Sequence, residues 1–285
     1  MQRRYGPRPG HPGGCAGGKG EITWEGVYWI VQDCFSNEAG WADLLQILEA
    51  FGLPHSVHSI VPGTDELAPK AAPVGRVLAV GSYALRRVVR ANNWTPGVFD
   101  LKDFTHADFW RHWDDRLLNA GTETELRSVC DTAEFRECDP FFLRPANDEK
   151  PFPGRLFTRA KFEEWSAKIA RRAESRLHSV TRVMISAPRE IYSEFRTWII
   201  DGRAVTGSSY KLAGVLNTAL PVDDEVTGFA EACARIWSPR RAFCLDIAKT
   251  PGGLKIVEAN TINFAGFYAA NVGRIVEAIE GLSES

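Results

Sequence analysis

The sequence predicts an α/β unit followed by an α+β unit, and a change of pattern along the chain carries this prediction. From about residue 27 to about residue 92, short apolar segments alternate with segments of helical periodicity, which is typical of a mostly parallel sheet covered by helices. From about residue 140 onward, paired extended segments joined by tight turns dominate, with helices between them. We therefore expect a small parallel sheet first and antiparallel hairpins after it.

Composition limits the class of protein. The 285 residues include 34 Lys and Arg against 36 Asp and Glu, so the net charge of -2 provides no basic field for a nucleic-acid backbone. No apolar segment reaches the ~18 residues of a transmembrane helix, and the N-terminal segment lacks the apolar core of a signal peptide. We expect a cytoplasmic protein that binds neither nucleic acid nor membrane, and the sequence carries no signal for an oligomeric state.

Cysteine and histidine patterns give no sign of a zinc site. The six cysteines are scattered without a C-x-x-C pair, and His55 and His58 have no acidic or cysteine neighbour. Free thiols and ordinary packing or surface histidines are expected.

Residues 1–22 are predicted to form a disordered leader. They are rich in Gly and Pro and nearly without apolar side chains, so they cannot offset the entropy lost on ordering. Gly13, Gly18 and Lys19 match the spacing of a phosphate-binding loop, but Gly20 stands where such a loop has Ser or Thr, and no strand precedes it. The leader is therefore not expected to bind phosphate.

Residues 23–105 are predicted to form the α/β unit. Its expected elements are a strand at 27–31, a helix at 41–51, strands at 55–61 and 76–80 and a helix at 83–92. Gly81 and Ser82 follow the third strand, at the end where parallel sheets bind ligands, although a lone Gly-Ser pair is more often a turn.

Residues 106–285 are predicted to form the α+β unit, after a partly helical connection at 103–130. Its expected elements are a strand at 141–144, a loop at 147–154, a helix at 160–177, a strand at 182–186, hairpins at 195–210 and 242–259 and helices at 228–237 and 269–279. The two hairpins hold most of the residues with chemical potential.

The second hairpin predicts a metal site. If its turn centres on Gly252, Asp246 lies directly opposite Glu258, and Asn260 points to the same face two residues later. Opposed carboxylates destabilise a sheet unless a cation lies between them, and oxygen ligands are those that Mg²⁺ prefers. The alternative is a polar ladder facing solvent.

The first hairpin predicts a site for a polyanion. A two-residue Asp-Gly turn at 201–202 places Glu194, Arg196 and Lys211 on one face. The predicted cross-strand pairs are Arg196 with Gly207 and Glu194 with Ser209. Two cations, one carboxylate and small residues leave room for a phosphate-rich ligand, although a surface pairing of Glu194 with Arg196 or Lys211 is the alternative.

A third cationic pair lies earlier in the chain. Arg144 ends an apolar strand, and Lys150 lies on the Pro- and Gly-containing loop that follows. Arg suits fixed bidentate phosphate contacts and Lys a flexible point charge, although either residue alone is most simply a surface residue.

In this order, these clusters resemble the ATP-grasp superfamily of carboxylate-amine ligases over about residues 140 to 268. The sequence is most similar to a phage and bacterial clade in which lysine, here Lys211, replaces the usual arginine at the end of the first hairpin. Further matching cues are Gly81-Ser82, Trp94-x-Pro96-Gly97, Leu117-Leu118-Asn119, Phe142-Leu143-Arg144-Pro145, Lys150-x-Phe152-x-Gly154 and Asp246-Ile247-Ala248. The resemblance implies a small Rossmann-like domain at 23–105 that precedes an ATP-grasp domain of two subdomains at 106–285.

The resemblance also implies a role for each candidate residue. The implied nucleotide-binding residues are Arg144 and Lys150 for the phosphates, Met184, Ser186 and Ala187 for the adenine hinge and Glu194 for ribose. The implied catalytic pair is Arg196 and Lys211, and the implied magnesium ligands are Asp246, Glu258 and Asn260. Two departures from the family pattern are a covering loop whose one glycine is Gly154, and Cys244 where some relatives have arginine.

The implied reaction is ATP-dependent activation of a carboxylate as an acyl phosphate, which an amine attacks to form an amide or peptide bond. The implied cofactors are ATP and Mg²⁺ or Mn²⁺, and the carboxylate and amine belong to small molecules, peptides or proteins. Two alternatives stay open: a phosphotransferase without ligation, and a nucleotide-binding protein with weak or lost turnover.

Overall fold

The computed structural model describes residues 26–148, 151–170 and 177–282. The predicted leader and Lys150 lie outside these ranges. The strands are β1 Val27–Gln32, β2 His55–Ile60, β3 Leu67–Ala68, β4 Arg76–Val80, β5 Pro96–Gly97, β6 Gly121–Glu125, β7 Phe141–Pro145, β8 Arg155–Phe157, β9 Arg182–Ser186, β10 Ser193–Ile200, β11 Arg203–Leu212, β12 Val215–Leu216, β13 Ala242–Thr250 and β14 Gly253–Asn260. The helices are α1 Trp41–Ala50, α2 Leu85–Asn92, α3 His106–Trp113, α4 Ala133–Glu137, α5 Arg159–Ala170, α6 Asp224–Ile236 and α7 Val272–Glu280.

The first sheet has the order β3-β2-β1-β4-β5. Strand β1 pairs in parallel with β2 and β4, and β4 pairs in parallel with β5, whereas β3 is an antiparallel edge strand. The predicted parallel α/β unit is confirmed, and β4 has the predicted bounds. Helix α2 begins at Leu85, later than predicted, because Ser82 to Ala84 form a turn before it.

The second sheet is antiparallel and has the order β6-β9-β7-β8. Phe141, Leu143, Val183 and Ile185 point into an aromatic core under α5. The alternate residues of the same strands, Phe142, Arg144, Met184 and Ser186, therefore share the opposite face. Strand β6 was not predicted, because Gly121–Glu125 contains no apolar residue that alternation could reveal.

The third sheet is also antiparallel and has the order β12-β11-β10-β13-β14. The predicted pairs of the first hairpin are wrong, because Arg196 lies opposite Ser208 and Glu194 opposite Lys211. Two register shifts, between Trp198 and Ile199 and between Glu194 and Phe195, each add one residue to β11. Together they slip the register by two residues, so the predicted shared face of the charged residues is retained.

The second hairpin has the predicted pairing of Asp246 with Glu258, but by a different route. Its turn is two residues long and lies between Thr250 and Gly253, not around Gly252. A register shift next to Asp246 then adds one residue to β14 and restores the predicted pair.

One core joins the first sheet to the third. It includes Trp29 and Leu78 of the first sheet, Trp198 and Cys244 of the third, and Ile275 of α7. Across the same junction the amide of buried Asn263 donates to Ala79 O and Gly97 O and accepts from Phe99 N. None of the described helices is both long and apolar enough to cross a membrane.

Candidate active site

A cavity of about 730 Å³ lies between the second and third sheets. Its wall on the second sheet includes Phe142 and Arg144, and its wall on the third sheet includes the charged face of the two hairpins. From that face it is lined by Glu194, Arg196, Lys211, Asp246 and Glu258. The structure thus brings together most of the predicted site residues around one space.

The Arg196–Asp246 pair lies at the base of the cavity. The guanidinium donates through Nε to Asp246 Oδ1 and through Nη2 to Asp246 Oδ2, each at 2.8 Å, and both residues are buried. Asn260 Nδ2 donates to Asp246 Oδ2 at 3.1 Å. This bidentate geometry neutralises Asp246, and burial is offset by the carboxylate so that the pKa of Arg196 lies well above its ordinary value.

Glu194 is the centre of a second group. Lys211 Nζ contacts its two oxygens at 3.1 and 3.3 Å, and the Tyr210 hydroxyl donates to Oε2 at 2.5 Å. The same hydroxyl lies 3.5 Å from Asp246 Oδ2. Burial, reinforced by these two carboxylates, raises the pKa of Tyr210 well above its usual value, so the hydroxyl stays a donor.

Two tyrosines of the site were not predicted from the sequence. Tyr210 is the residue that β11 gains at a bulge, and Tyr268 follows no strand or helix pattern. Their rings stack at 5.3 Å, with the Arg196 guanidinium 5.6 Å and 5.4 Å from the two ring centres. Tyr268 has φ 53°, a left-handed conformation that a non-glycine residue adopts only where its surroundings hold it.

Arg144 approaches Glu258 from the second sheet. Its Nη1 donates to Val257 O at 3.2 Å and lies 3.7 Å from Glu258 Oε2, while its buried Nε has no hydrogen-bond partner within the described chain. Burial lowers the pKa of Arg144, opposed by Glu258 and then Asp148. A buried N–H of a cation without a partner fits an anionic ligand such as phosphate.

The predicted adenine hinge lies at the end of β9. Met184 and Ser186 are fully buried, and Ala187 follows the strand with a partly exposed side chain. The Ser186 hydroxyl donates to Asn119 Oδ1 at 3.4 Å, and Asn119 lines the cavity. Lys150, the predicted loop cation, falls outside the described residues.

The donor set around Asp246 fits a hard cation. The described residues contain no cluster of three His, Cys, Asp or Glu side chains suited to a metal ion, so any site here depends on two carboxylates and one amide. Asp246 and Glu258 are directly opposed and Asn260 contacts Asp246, which makes all candidate ligands oxygen atoms. This chemistry fits Mg²⁺ and disfavours zinc. Cys244, two residues before Asp246, is fully buried in the core.

Comparison with solved structures gives the same fold. An ATP-grasp RimK domain protein from Sphaerobacter thermophilus is similar at TM-score 0.60 and 14% identity, over 90% of this chain and 98% of that chain. D-alanine–D-alanine ligase from Bacillus anthracis is similar at TM-score 0.52 and 10% identity, over 88% and 91% of the two chains. The ATP-grasp ligase PsnB, complexed with minimal precursor, Mg and ADP, gives 0.52 and 14%, over 90% and 97%.

Comparison with sequence families is more specific. No curated protein matches the chain. The model of family 3 in the arginine-to-lysine clade of ATP-grasp domains matches residues 75–279, which is more than half of the chain and includes every predicted site residue. The predicted fold, with its Rossmann-like first unit, agrees with this match, and the chain belongs to the arginine-to-lysine clade of the ATP-grasp family.

Proposed function

We propose that the protein is an ATP-dependent ligase that converts a carboxylate to an acyl phosphate, which an amine then attacks to form an amide or peptide bond. The observation that supports this most is the meeting of three cations, Arg144, Arg196 and Lys211, with the opposed pair Asp246 and Glu258 around one cavity. Such a cavity suits a triphosphate and a second anionic reactant.

The binding roles follow from position. Arg144, with its unpartnered Nε, would bind phosphate from the second sheet, and Lys150 would add a charge from the loop after it. The backbone at Met184, Ser186 and Ala187 would hold adenine, and Glu194 would accept from ribose.

The residues that act on the reacting groups lie deeper in the cavity. Arg196 and Lys211 would orient the transferred phosphoryl group and the carboxylate and offset their negative charge, and no protein nucleophile is required. Asp246, Glu258 and Asn260 would hold magnesium, which supplies further neutralisation of phosphate charge when bound. Since Asp246 is paired with Arg196 in this structure, binding of the cation competes with that pair.

The proposed substrates are a carboxylate and an amine from small molecules, peptides or proteins. The two-domain division at 23–105 and 106–285, the cytoplasmic location and the use of Mn²⁺ in place of Mg²⁺ are proposed on the same basis. PsnB is described as a ligase bound to a peptide precursor, which favours including peptides among the first substrates tested.

The test is mass spectrometry of reactions containing ATP, Mg²⁺ and pooled amino acids or short peptides. We expect a new amide together with ADP and phosphate, lost in Arg196→Ala and retained in Arg203→Ala, which removes an exposed arginine of the same hairpin. A phosphorylated acceptor without an amide would instead identify a phosphotransferase. ATP binding without ADP formation would identify a protein without turnover.

A further inference from the structure

A buried charge network connects the first sheet unit to the cavity. Arg86 of α2 donates through Nε to Asp100 Oδ1 at 2.7 Å and through Nη2 to Asp148 Oδ2 at 3.1 Å. The Thr261 hydroxyl donates to the same Asp148 oxygen at 2.8 Å, and the Tyr83 hydroxyl donates to the other at 3.2 Å. Asp148 is therefore fixed by groups from both units of the fold.

Asp148 is an acid in the cavity wall. It lines the cavity, and only 4% of its side chain is exposed. A buried carboxylate acts over a long range because little water screens it, so without a compensating cation it would repel phosphates. Its influence reaches Arg144, whose pKa it raises against the effect of burial.

Each acid of the cavity wall has a cationic neighbour among the described residues. Three of these pairs lie within the cavity lining: Arg196 with Asp246, Lys211 with Glu194 and Arg144 with Glu258. The fourth pair, Arg86 with Asp148, takes its cation from outside the lining. Thr261, which shares the network, directly follows the proposed metal ligand Asn260.

We propose that Arg86 is a positioning residue for the nucleotide, which neutralises Asp148 in the cavity wall so that the cavity accepts a polyanion. The proposal rests on the proposed function only in requiring that the cavity bind ATP. It gives the first sheet unit a part in nucleotide binding without contact with the nucleotide, by way of one ion pair.

The test is calorimetric binding of the non-hydrolysable analogue AMPPNP with Mg²⁺ to the full chain. Arg86→Met should weaken binding about tenfold, because it leaves a buried carboxylate near the phosphates. Adding Asp148→Asn removes that charge, so the double variant should return to within about threefold of wild type. Asp148→Asn alone should bind as tightly as wild type or more tightly.

Arg87→Met is the matched control, because Arg87 neighbours Arg86 on α2 and forms an exposed pair with Asp65. It should bind like wild type. Arg86→Lys retains the charge and should also bind nearly normally, which provides a reading should Arg86→Met fail to fold.

Three outcomes would overturn the proposal: unchanged affinity in folded Arg86→Met, no recovery in the double variant, or a large loss in Asp148→Asn. Failure of the wild type to bind AMPPNP would contradict the proposed function instead, so the two failures are distinct.

Discussion

His106 is buried at the start of α3, and its Nδ1 has no hydrogen-bond partner within the described chain. Burial, with a smaller effect from the charge of Arg144, lowers its pKa from 6.5 to about 4. The unfolded chain therefore binds a proton below pH 6.5 that the folded chain excludes until about pH 4. The stabilising effect is complete above pH 6.5 and is lost as the pH falls toward 4.

The free energy of unfolding should thus fall between pH 7 and pH 5 by about 2 kcal/mol more in the wild type than in His106→Phe. Urea denaturation of both proteins at the two pH values measures this difference. His178→Phe is the control, because it removes an exposed histidine and leaves the buried one in place. Equal losses in wild type and His106→Phe would show that His106 titrates normally.

At the scale of single residues, the sequence predicted the site where strand alternation determines the direction of a side chain. Glu194, Arg196, Lys211, Asp246, Glu258 and Asn260 alternate along their strands, and the structure brings them to one face. Tyr210 escaped prediction because the bulge beside it changes its direction, and no local pattern places Tyr268. Their roles in binding and catalysis stay predictions.

At the scale of elements, Gly121 shows how closely strand β6 approaches the hinge. It pairs with Ser186, and a Cβ at Gly121 would collide with the carbonyl oxygen of Ile185 and lie 2.8 Å from Ser186 Cβ. The backbone of β9 would have to move, and with it the predicted adenine hinge.

Gly121→Ala should therefore destabilise the fold by about 1–3 kcal/mol and weaken nucleotide binding as well. Thermal unfolding and AMPPNP titration measure the two effects. Gly228→Ala is the control, since a Cβ in the middle of α6 meets nothing within 4 Å. That variant should be more stable by about 0.5–1 kcal/mol. A stable Gly121→Ala protein with normal affinity would refute the tight packing at the hinge.

The main strands and helices followed from periodicity, but the hairpin registers did not. Turn geometry alone gives the register of a regular hairpin, and each bulge changes it by one residue without a sequence signal. The Asp246–Glu258 pair was predicted correctly because an assumed turn centre and an actual bulge have the same effect on register. Strand β6 was missed because it is polar throughout.

At the scale of the whole molecule, the predicted boundary at 105/106 divides the chain but not its core. Side chains from the first sheet, the third sheet and α7 share one apolar cluster, and Asn263 hydrogen bonds across the junction. A unit that shares its core with its neighbour loses much of its stability when the neighbour unfolds.

Urea unfolding should therefore be a single transition in which tryptophan fluorescence and far-UV circular dichroism coincide. Asn263→Ala should lower the midpoint for both probes together, because it leaves buried backbone groups unpaired at a cost of about 1–3 kcal/mol. Two separated transitions, or a shift of one probe only, would show that the units unfold independently.

The central claim is that Asp246, Glu258 and Asn260 form a magnesium-dependent ATP site, and Glu258→Gln tests it most directly. Without ligand the change should be small, under about 1 kcal/mol, because Asp246 is already neutralised by Arg196 and Glu258 lies 3.7 Å from its cation.

The measurement is the melting temperature of wild type, Glu258→Gln and the control Glu225→Gln, whose glutamate is exposed beside Lys249, with and without Mg²⁺ and AMPPNP. We predict a clear ligand-induced rise for wild type and control that requires Mg²⁺ and is abolished in Glu258→Gln. An undiminished rise in Glu258→Gln, or an equal rise in wild type with the metal chelated, would contradict the metal site.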